Sequence, residues 1–131
     1  MNIEKNFSPV LVVDDEPLVL KQISEAVSEW GYVDVRGASG FEQALEILKA
    51  TRIGVLITDV VLPDGDGRRL ASQALKDHTG IVILMSSFSA QTLMLAPELR
   101  AQTHLLEKPF SMQDLRELLT KITAEQKSKQ P

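Results

Sequence analysis

Short apolar runs without alternation constrain the fold of this chain more than any other feature. Val10–Val13 and Ile81–Met85 contain no polar residue, and Ile53–Ile57 is interrupted only by Gly54. An unbroken apolar strand is buried on both faces, and such strands occur in parallel sheets that are covered by helices. Each run ends abruptly in polar residues, so the ends of the strands are where the chemistry of the chain is expected.

Helical segments separate the apolar runs in regular alternation. Pro17 stands in a first helical turn, where its missing N–H would have had no partner, and Ser39 is expected to cap the second helix. The strands are predicted at Val10–Val13, Val33–Val35, Ile53–Ile57, Ile81–Met85 and Leu105–Leu106. Five strands alternating with five helices predict a doubly wound α/β fold, which is a parallel sheet with right-handed crossovers.

The fourth helix is the irregular member of this series. It is expected to begin near Ala90, but Pro97 falls in its second turn or later. A proline in a helix interior removes a backbone hydrogen bond and collides with the preceding turn. We therefore expect this helix to be short, kinked or displaced.

Length and composition narrow the class of protein. The 131 residues suit one domain, expected at residues 10–123, with a lead-in at residues 1–9 and a tail or start of a linker at residues 124–131. Cysteine is absent, which excludes disulfide scaffolds, cysteine-ligated zinc and thiol catalysis. The net charge of −4, from 14 basic and 18 acidic residues, argues against direct nucleic-acid binding.

The sequence has the character of a cytoplasmic protein without membrane contact. No apolar run approaches the ~20 residues that a membrane-spanning helix requires. The segment Met1–Pro9 contains Glu4 and Lys5 and lacks the apolar region of a signal peptide. Cytoplasmic localisation is therefore expected.

Residues with reactive or ligating side chains follow four of the predicted strands. Asp14 and Asp15 follow the first strand, Asp59 ends the third, Ser86 ends the fourth, and Lys108 follows the fifth. The carboxyl ends of parallel strands lie on one edge of the sheet, so these side chains are expected to converge. Each residue alone is explained as a cap, a turn residue or a solvated surface group. Those explanations predict scatter rather than convergence.

Three carboxylates at one edge would repel one another unless a cation were present. Oxygen ligands without histidine or cysteine suit a hard ion such as Mg²⁺, with Mn²⁺ as the second choice. Lys108 adds an ammonium group and Ser86 adds a hydroxyl donor. A carboxylate nucleophile beside these groups predicts a site that accepts a phosphoryl group, where catalysis is mostly positioning and charge neutralisation.

From Val10 to about Thr123 the sequence resembles the receiver domain of a two-component response regulator, a family typified by the chemotaxis regulators. The resemblance rests on five motifs: Val12-Val13-Asp14-Asp15-Glu16-Pro17, Leu56-Ile57-Thr58-Asp59-Val60-Val61-Leu62-Pro63, Asp66-Gly67, Leu84-Met85-Ser86-Ser87 and Lys108-Pro109-Phe110. As a set in this order the motifs are highly specific, although each alone is weak. The resemblance implies a flavodoxin-like (βα)5 fold with strand order 2-1-3-4-5.

The resemblance also implies how the site works. Asp59 would accept a phosphoryl group from the phosphohistidine of a sensor histidine kinase or a phosphotransfer protein. Ser86 would hydrogen-bond the phosphoryl group and draw the following loop inward, while Lys108 would contact another phosphoryl oxygen. Pro109 would hold the lysine loop in a cis-peptide turn. The chain would catalyse only its own phosphorylation and dephosphorylation, and it would signal to a downstream output protein or domain.

Metal binding follows from the same resemblance. Asp15 would bind Mg²⁺ directly, and Asp14 would bind it directly or through water. Asp59 would be a further ligand. The backbone carbonyl of Val61 would complete the set of protein ligands, which leaves the Val61 side chain free to vary.

Two departures from the family pattern concern the switch rather than the site. The family usually has Tyr or Phe on the fifth strand, where this chain has Leu105. A leucine has no ring or hydroxyl to move, so the signal would be carried by the Ser86–Ala90 loop or the coupling would be weak. Apolar residues around Pro97 lie on the face of helix four, strand five and helix five that commonly docks partners in this family. A homodimer through this face is expected, or else these residues belong to the domain's own core.

Other functions remain as alternatives. Haloacid-dehalogenase-type phosphatases also combine an aspartate nucleophile, a hydroxyl, a lysine and Mg²⁺, but they need Asp-x-Asp after the first strand, whereas Asp14 and Asp15 are adjacent. A phosphate-independent receiver-like interaction module is the second alternative, because Leu105 replaces the usual aromatic residue. A nucleotide-binding domain is disfavoured, since Asp-Asp-Glu-Pro stands where a glycine-rich loop would follow the first strand.

Overall fold

The computed structural model of the protein describes residues 6–128. Its strands are β1 Val10–Val13, β2 Val35–Ala38, β3 Val55–Asp59, β4 Val61–Leu62, β5 Gly65–Asp66, β6 Ile81–Ser86 and β7 His104–Glu107. Five of them form one parallel sheet in the order β2-β1-β3-β6-β7, and β4 pairs with β5 in a short antiparallel hairpin. Numbered without the hairpin, this is the predicted order 2-1-3-4-5.

Helices connect the parallel strands and cover both faces of the sheet. They are α1 Pro17–Glu29, α2 Phe41–Ala50, α3 Gly67–Lys76, α4 Ala90–Leu93, α5 Pro97–Gln102 and α6 Met112–Ser128. Pro17 opens α1 as expected for a residue without a backbone donor. The doubly wound α/β fold is confirmed.

The core consists of two layers because successive residues of each strand point to opposite faces of the sheet. One layer packs Leu11, Leu56 and Leu84 against α2 and α3. The other layer packs Val12 and Ile57 against α1 and α6. All five residues of β3 are buried between the two layers. The phosphoacceptor candidate Asp59 is the last residue of this central strand.

The predicted boundaries of four strands need correction, the smallest being that of β6, which extends one residue beyond Met85. The second strand was expected at Val33–Val35, but β2 spans Val35–Ala38 because Asp34 adopts a left-handed conformation with φ 53° and pairing with β1 begins only at Val35. The third strand begins two residues later than expected, at Val55, which is the register partner of Val10. The last strand extends one residue beyond Leu105–Leu106 at each end.

The expected cap of the second helix is wrong. The helix begins at Phe41, so Ser39 lies one residue too early, and its backbone N and Oγ instead contact Oε1 of Gln43 at 2.9 and 3.2 Å. The first backbone donors of α2 bond to a distant side chain: the amides of Phe41 and Glu42 donate to the Asp64 carboxylate at 2.6 and 3.1 Å. A residue of the β4–β5 turn therefore caps this helix.

The fourth helix is split in two, as the position of Pro97 indicated. The single turn α4 ends at Leu93, Met94 adopts a left-handed conformation, and Pro97 then opens α5. The helix is therefore interrupted before the proline, and the proline occupies a first-turn position that tolerates it.

The ends of the chain pack on the domain as far as the structure describes them. The Pro9 carbonyl accepts from Gly54 N at 2.8 Å, and Phe7 packs against the core layer under α1 and α6. Residues 1–5 of the predicted lead-in and residues 129–131 of the predicted tail lie outside the described residues. Within the described range, no helix is long and apolar enough to cross a membrane.

Candidate functional site

The sheet brings the predicted site residues to one edge. Asp59 is the last residue of β3 and is paired in register with Met85, which directly precedes Ser86 at the end of β6. Asp14 follows β1, the neighbouring strand on the other side, and Lys108 follows β7. Because all these strands are parallel, the side chains share the carboxyl edge of the sheet, where open α/β sheets bind ligands.

Asp14, Asp15 and Asp59 form an acidic cluster in which one ligand atom from each residue lies within 4.8 Å of the others. Asp14 is only 1% exposed, and its Oδ1 accepts from the amide of Glu16 at 2.8 Å. Its Oδ2 is buried and has no hydrogen-bond partner among residues 6–128. A buried carboxylate oxygen without a donor fits a cation-binding site, because an unpaired buried charge is strongly unfavourable.

The pKa of Asp14 reflects the same arrangement. Burial raises the pKa most, and the negative charges of Asp59 and Asp15 raise it further. The Glu16 amide and the Lys108 ammonium oppose this shift, but the pKa remains above its ordinary value. The three carboxylates, with no sulfur or imidazole ligand among them, suit a hard ion such as Mg²⁺.

Lys108 forms an ion pair with Asp59. Its Nζ lies 2.8 Å from Oδ2 of Asp59, and the two side chains are 27% and 11% exposed. Burial is the largest single influence and lowers the pKa of Lys108, but the hydrogen bond to Asp59 and the negative charges of Asp59, Asp14 and Glu16 together outweigh it, so the net pKa is raised. The lysine is therefore a fixed positive charge against one oxygen of Asp59, while the other oxygen, Oδ1, accepts from Val61 N at 3.3 Å.

Ser86 is buried at the end of β6, and its hydroxyl already has a partner. The Oγ accepts from the amide of Phe88 at 2.8 Å. The Ser86 carbonyl accepts from the amide of Lys108 at 2.7 Å. The serine therefore connects the lysine loop to the segment that leads into α4.

The remaining predicted residues surround this site. Val61 lies in the β4–β5 hairpin with its side chain 63% exposed. Leu105 is half-buried on β7 and packs against the core layer under α2 and α3. The Lys108–Pro109 peptide is cis, as the family resemblance implies.

Gly67 is part of a quoted motif, but the sequence did not indicate what it does. Its amide donates to the Val60 carbonyl at 2.7 Å. A Cβ at this position would collide with the backbone carbonyl of Asp59. Only glycine allows α3 to begin this close to the phosphoacceptor candidate.

Sequence reasoning missed two residues next to the site. Asp64 and Arg68 lie in or just after the Pro-Asp-Gly-Asp-Gly stretch at residues 63–67, a composition that is typical of turns. Asp64 caps α2, and Arg68 contacts both Asp66 and the carbonyl of Leu93. The α2 amides that Asp64 caps and the Leu93 carbonyl that Arg68 binds are 22 to 25 positions away in sequence, so no local pattern indicates these contacts.

Comparisons with known proteins agree with this geometry. The response regulator receiver domain family model matches residues 10–120. The transcriptional regulatory protein PdtaR of Mycobacterium tuberculosis is 29% identical over 106 residues, which cover 81% of this chain and 52% of that protein. The chain thus spans about half the length of the curated relatives it matches. Neither alternative function, the phosphatase or the phosphate-independent module, receives support from these relatives.

Solved structures are similar over most of the chain. The response regulator TrrA of Thermotoga maritima, in complex with Mg²⁺ and a beryllium fluoride, matches with TM-score 0.72 and 26% identity over 86% of this chain and 96% of that chain. The beryllofluoride-activated NtrC4 receiver domain dimer matches with TM-score 0.73 and 28% identity over 88% of this chain and 96% of that chain. With the family model covering most of its length, this chain belongs to the response regulator receiver domain family.

Proposed function

We propose that this chain is a phosphorylation-switched receiver that accepts a phosphoryl group from a phosphohistidine onto Asp59. The single observation that carries the proposal is the placement of the Asp59 carboxylate between the Lys108 ammonium, at 2.8 Å, and the acidic cluster with Asp14 and Asp15. This is the carboxyl edge of the sheet in a chain of the receiver family.

In this proposal the transfer is a displacement at phosphorus. A carboxylate oxygen of Asp59 forms the new P–O bond as the P–N bond of the phosphohistidine breaks, and the imidazole leaves with the electron pair. The Lys108 ammonium moves from the Asp59 carboxylate toward a phosphoryl oxygen and keeps neutralising the charge there. The Ser86 hydroxyl donates to another phosphoryl oxygen, which requires rearrangement around its present bond with Phe88.

A divalent cation is the expected cofactor. Asp14, Asp15 and Asp59, with the backbone carbonyl of Val61, would hold Mg²⁺ or Mn²⁺. When bound, the ion would neutralise charge on the transferring phosphoryl group. The buried, unpartnered Oδ2 of Asp14 supports this assignment.

The partners and setting follow from the same proposal. The phosphodonor is a sensor histidine kinase or a phosphotransfer protein, and the signal passes to an output protein or domain in the cytoplasm. The receiver is residues 10–123, and phosphorylation promotes a homodimer through the face formed by α4, α5, β7 and α6. The similar NtrC4 structure is a beryllofluoride-activated receiver domain dimer, which supports a homodimer, while the choice of face follows from the family resemblance.

The test uses wild type and Asp59→Asn with Mg²⁺ and acetyl phosphate as a small phosphodonor. Intact-mass spectrometry is expected to show one added phosphoryl group on wild type and none on the variant. Omission of Mg²⁺ is expected to suppress the reaction. Size-exclusion chromatography of the same samples then shows whether the added group promotes the dimer. Equal phosphorylation of the variant would exclude Asp59 as the acceptor.

A further inference from the structure

Arg68 connects two segments that flank the candidate site. Its Nε and Nη2 donate to the Asp66 carboxylate at 3.0, 3.1 and 2.7 Å. Its Nη1 donates to the backbone carbonyl of Leu93 at 3.0 Å. Asp66 is the N-cap of α3, and Leu93 is the last residue of α4. One side chain therefore ties the start of one helix to the end of another across 25 positions of sequence.

The planar guanidinium is what makes this double contact work. Arginine presents several N–H donors in a rigid fork, so two of its edges can serve two partners at once. Burial is the largest single influence and raises the pKa of Asp66, but the hydrogen bonds from Arg68 and the positive charges of Arg68 and Arg69 together outweigh it, so the net pKa is lowered. Arg68 and Asp66 are 38% and 36% exposed, and partly exposed pairs of this kind add little to global stability. The contact is therefore suited to positioning rather than to holding the fold together.

Helix α4 is held at Leu93 by two interactions: the Leu93 side chain is buried in the core layer under α2 and α3, and Arg68 binds the Leu93 backbone carbonyl. It has four residues, and single turns are not stable in isolation because helix nucleation is unfavourable. The amides of Leu93 and Met94 donate to the carbonyls of Ser89 and Ala90 at 3.0 and 3.2 Å. The carbonyls at its C-terminal end have no partner within the turn, and Arg68 supplies one of them with a cationic donor.

The segment that Arg68 holds is the one that starts at Ser86. The Ser86 hydroxyl accepts from Phe88 N, and Ser89 caps α4 one residue later through a bond from Thr92 N at 3.2 Å. Phosphorylation would pull Ser86 and hence this segment toward Asp59. Leu105 has no ring to move in response, so the segment is the route left for the signal.

We propose that Arg68 is a latch that ties α4 to the start of α3 and opposes movement of the segment after Ser86. The regulatory role of the latch rests on the proposed phosphorylation of Asp59. A phosphoryl group on Asp59 would move the segment only by breaking the contact between Arg68 and α4. Loss of the latch lowers the free-energy difference between the present position of the segment after Ser86 and its position closer to Asp59. With a smaller difference, phosphorylation shifts more of the population to the second position. Arg68 is thus a positioning residue that sets how readily the receiver switches.

The first test measures the latch without any phosphoryl transfer. In an Asp59→Asn background, NMR amide exchange is compared among Arg68→Gln, Arg68→Lys and the matched control Arg69→Gln, which removes the same charge from the next residue. Arg69 lies over the ring of Phe41, 5.1 Å from its centroid. Both Arg68 variants are expected to speed exchange at Leu93 and Met94 by ~10-fold, the effect of losing one charge-assisted hydrogen bond from a local opening. Lysine keeps the charge but lacks the second donor edge.

The core amides of Ile83 and Leu84 serve as an internal control for global unfolding, and their exchange is expected not to change. Exchange at Leu93 that is equal in Arg68→Gln and Arg69→Gln would overturn the latch.

The second test keeps Asp59 and measures the initial rate of phosphorylation by acetyl phosphate with Mg²⁺. This rate is expected to be higher in Arg68→Gln than in Arg69→Gln. Faster exchange with an unchanged rate would overturn the regulatory role. If wild type takes up no phosphoryl group, the proposed function is refuted. The exchange comparison still shows whether Arg68 acts as a latch on α4.

Discussion

Asp14 carries a negative charge that the fold holds in an unfavourable environment. Burial raises its pKa above the ordinary value of 3.8, and the carboxylates of Asp59 and Asp15 add to the shift. A raised carboxyl pKa means that this group stabilises the fold fully only below pH 3.8 and loses that contribution as the pH rises through the folded-state pKa. At neutral pH the ionised carboxylate therefore weakens the fold until a cation binds beside it.

Replacing Asp14 with Asn is expected to raise the melting temperature at pH 7 in a chelating buffer. The asparagine Oδ1 still accepts from Glu16 N, while the buried charge is removed. Wild type is expected to gain stability with Mg²⁺, by about 2.7 kcal/mol at 100 times the dissociation constant, and the variant is expected to gain much less. Thermal unfolding with and without Mg²⁺ measures both effects. A variant that is less stable than wild type in chelator would show that the charge is not unfavourable there.

At the scale of elements, the β4–β5 hairpin organises the structure around Asp59. Asp64 in its turn caps α2, Asp66 caps α3 and accepts from Arg68 N at 2.9 Å, and Gly67 approaches the Asp59 backbone. The hydrogen bonds from Phe41 and Glu42 lower the pKa of Asp64, although burial acts weakly in the other direction. The hairpin therefore fixes the positions of the first turns of α2 and α3 and of the Arg68 side chain relative to β3, the strand that bears Asp59.

Asp64→Ala is expected to lower the melting temperature at neutral pH, because two amides at the start of α2 lose their acceptor. A lowered carboxyl pKa contributes stability above 3.8 that is lost as the pH falls through the folded-state pKa. The difference between wild type and variant should therefore shrink in acid. Thermal unfolding from neutral pH to below 3.8 tests this. Glu46→Ala, which removes a carboxylate from the exposed face of the same helix, is the matched control. A difference between wild type and Asp64→Ala that stays constant across this pH range would contradict the cap.

At the scale of the whole molecule, the two core layers share the strands between them. Leu56 and Ile57 are adjacent on β3 and are fully buried, one in the α2 and α3 layer and the other in the α1 and α6 layer. Neither layer can lose its packing without exposing one face of the same sheet. We therefore expect the domain to unfold as one cooperative unit.

Leu56→Ala is expected to cost about 2–5 kcal/mol of unfolding free energy, because it leaves a cavity in the middle of the core. Ile57→Ala should cost a similar amount from the opposite layer. Trp30, which packs with the α1 and α6 layer, should report by fluorescence the same denaturation midpoint for Leu56→Ala as far-UV circular dichroism. Leu18→Ala, at a side chain 82% exposed, is the control and should change stability by less than about 0.5 kcal/mol. Separate midpoints for the two probes would mean that the layers unfold independently.

Most of the fold was predictable because it depends on patterns that are local in sequence. Apolar runs indicated the central strands β1, β3 and β6, and the order of polar residues at the strand ends indicated the candidate site, since parallel strands share one edge. Element boundaries were less predictable. The start of β2 depends on Asp34 and on pairing with β1, and the cap of α2 comes from Asp64 rather than from Ser39.

The sequence by itself determined the class of fold, the strand that bears Asp59 and the set of side chains around it. These features depend on apolar runs and on the polar residues that follow them, and both are local patterns in the sequence. Only the tertiary structure decided how those side chains are charged and held: the ion pair of Lys108, the unpartnered oxygen of Asp14 and the bond from Arg68 to Leu93. Burial and hydrogen bonding between distant residues exist only once the layers have packed, and they set the electrostatics and the mobility of the site.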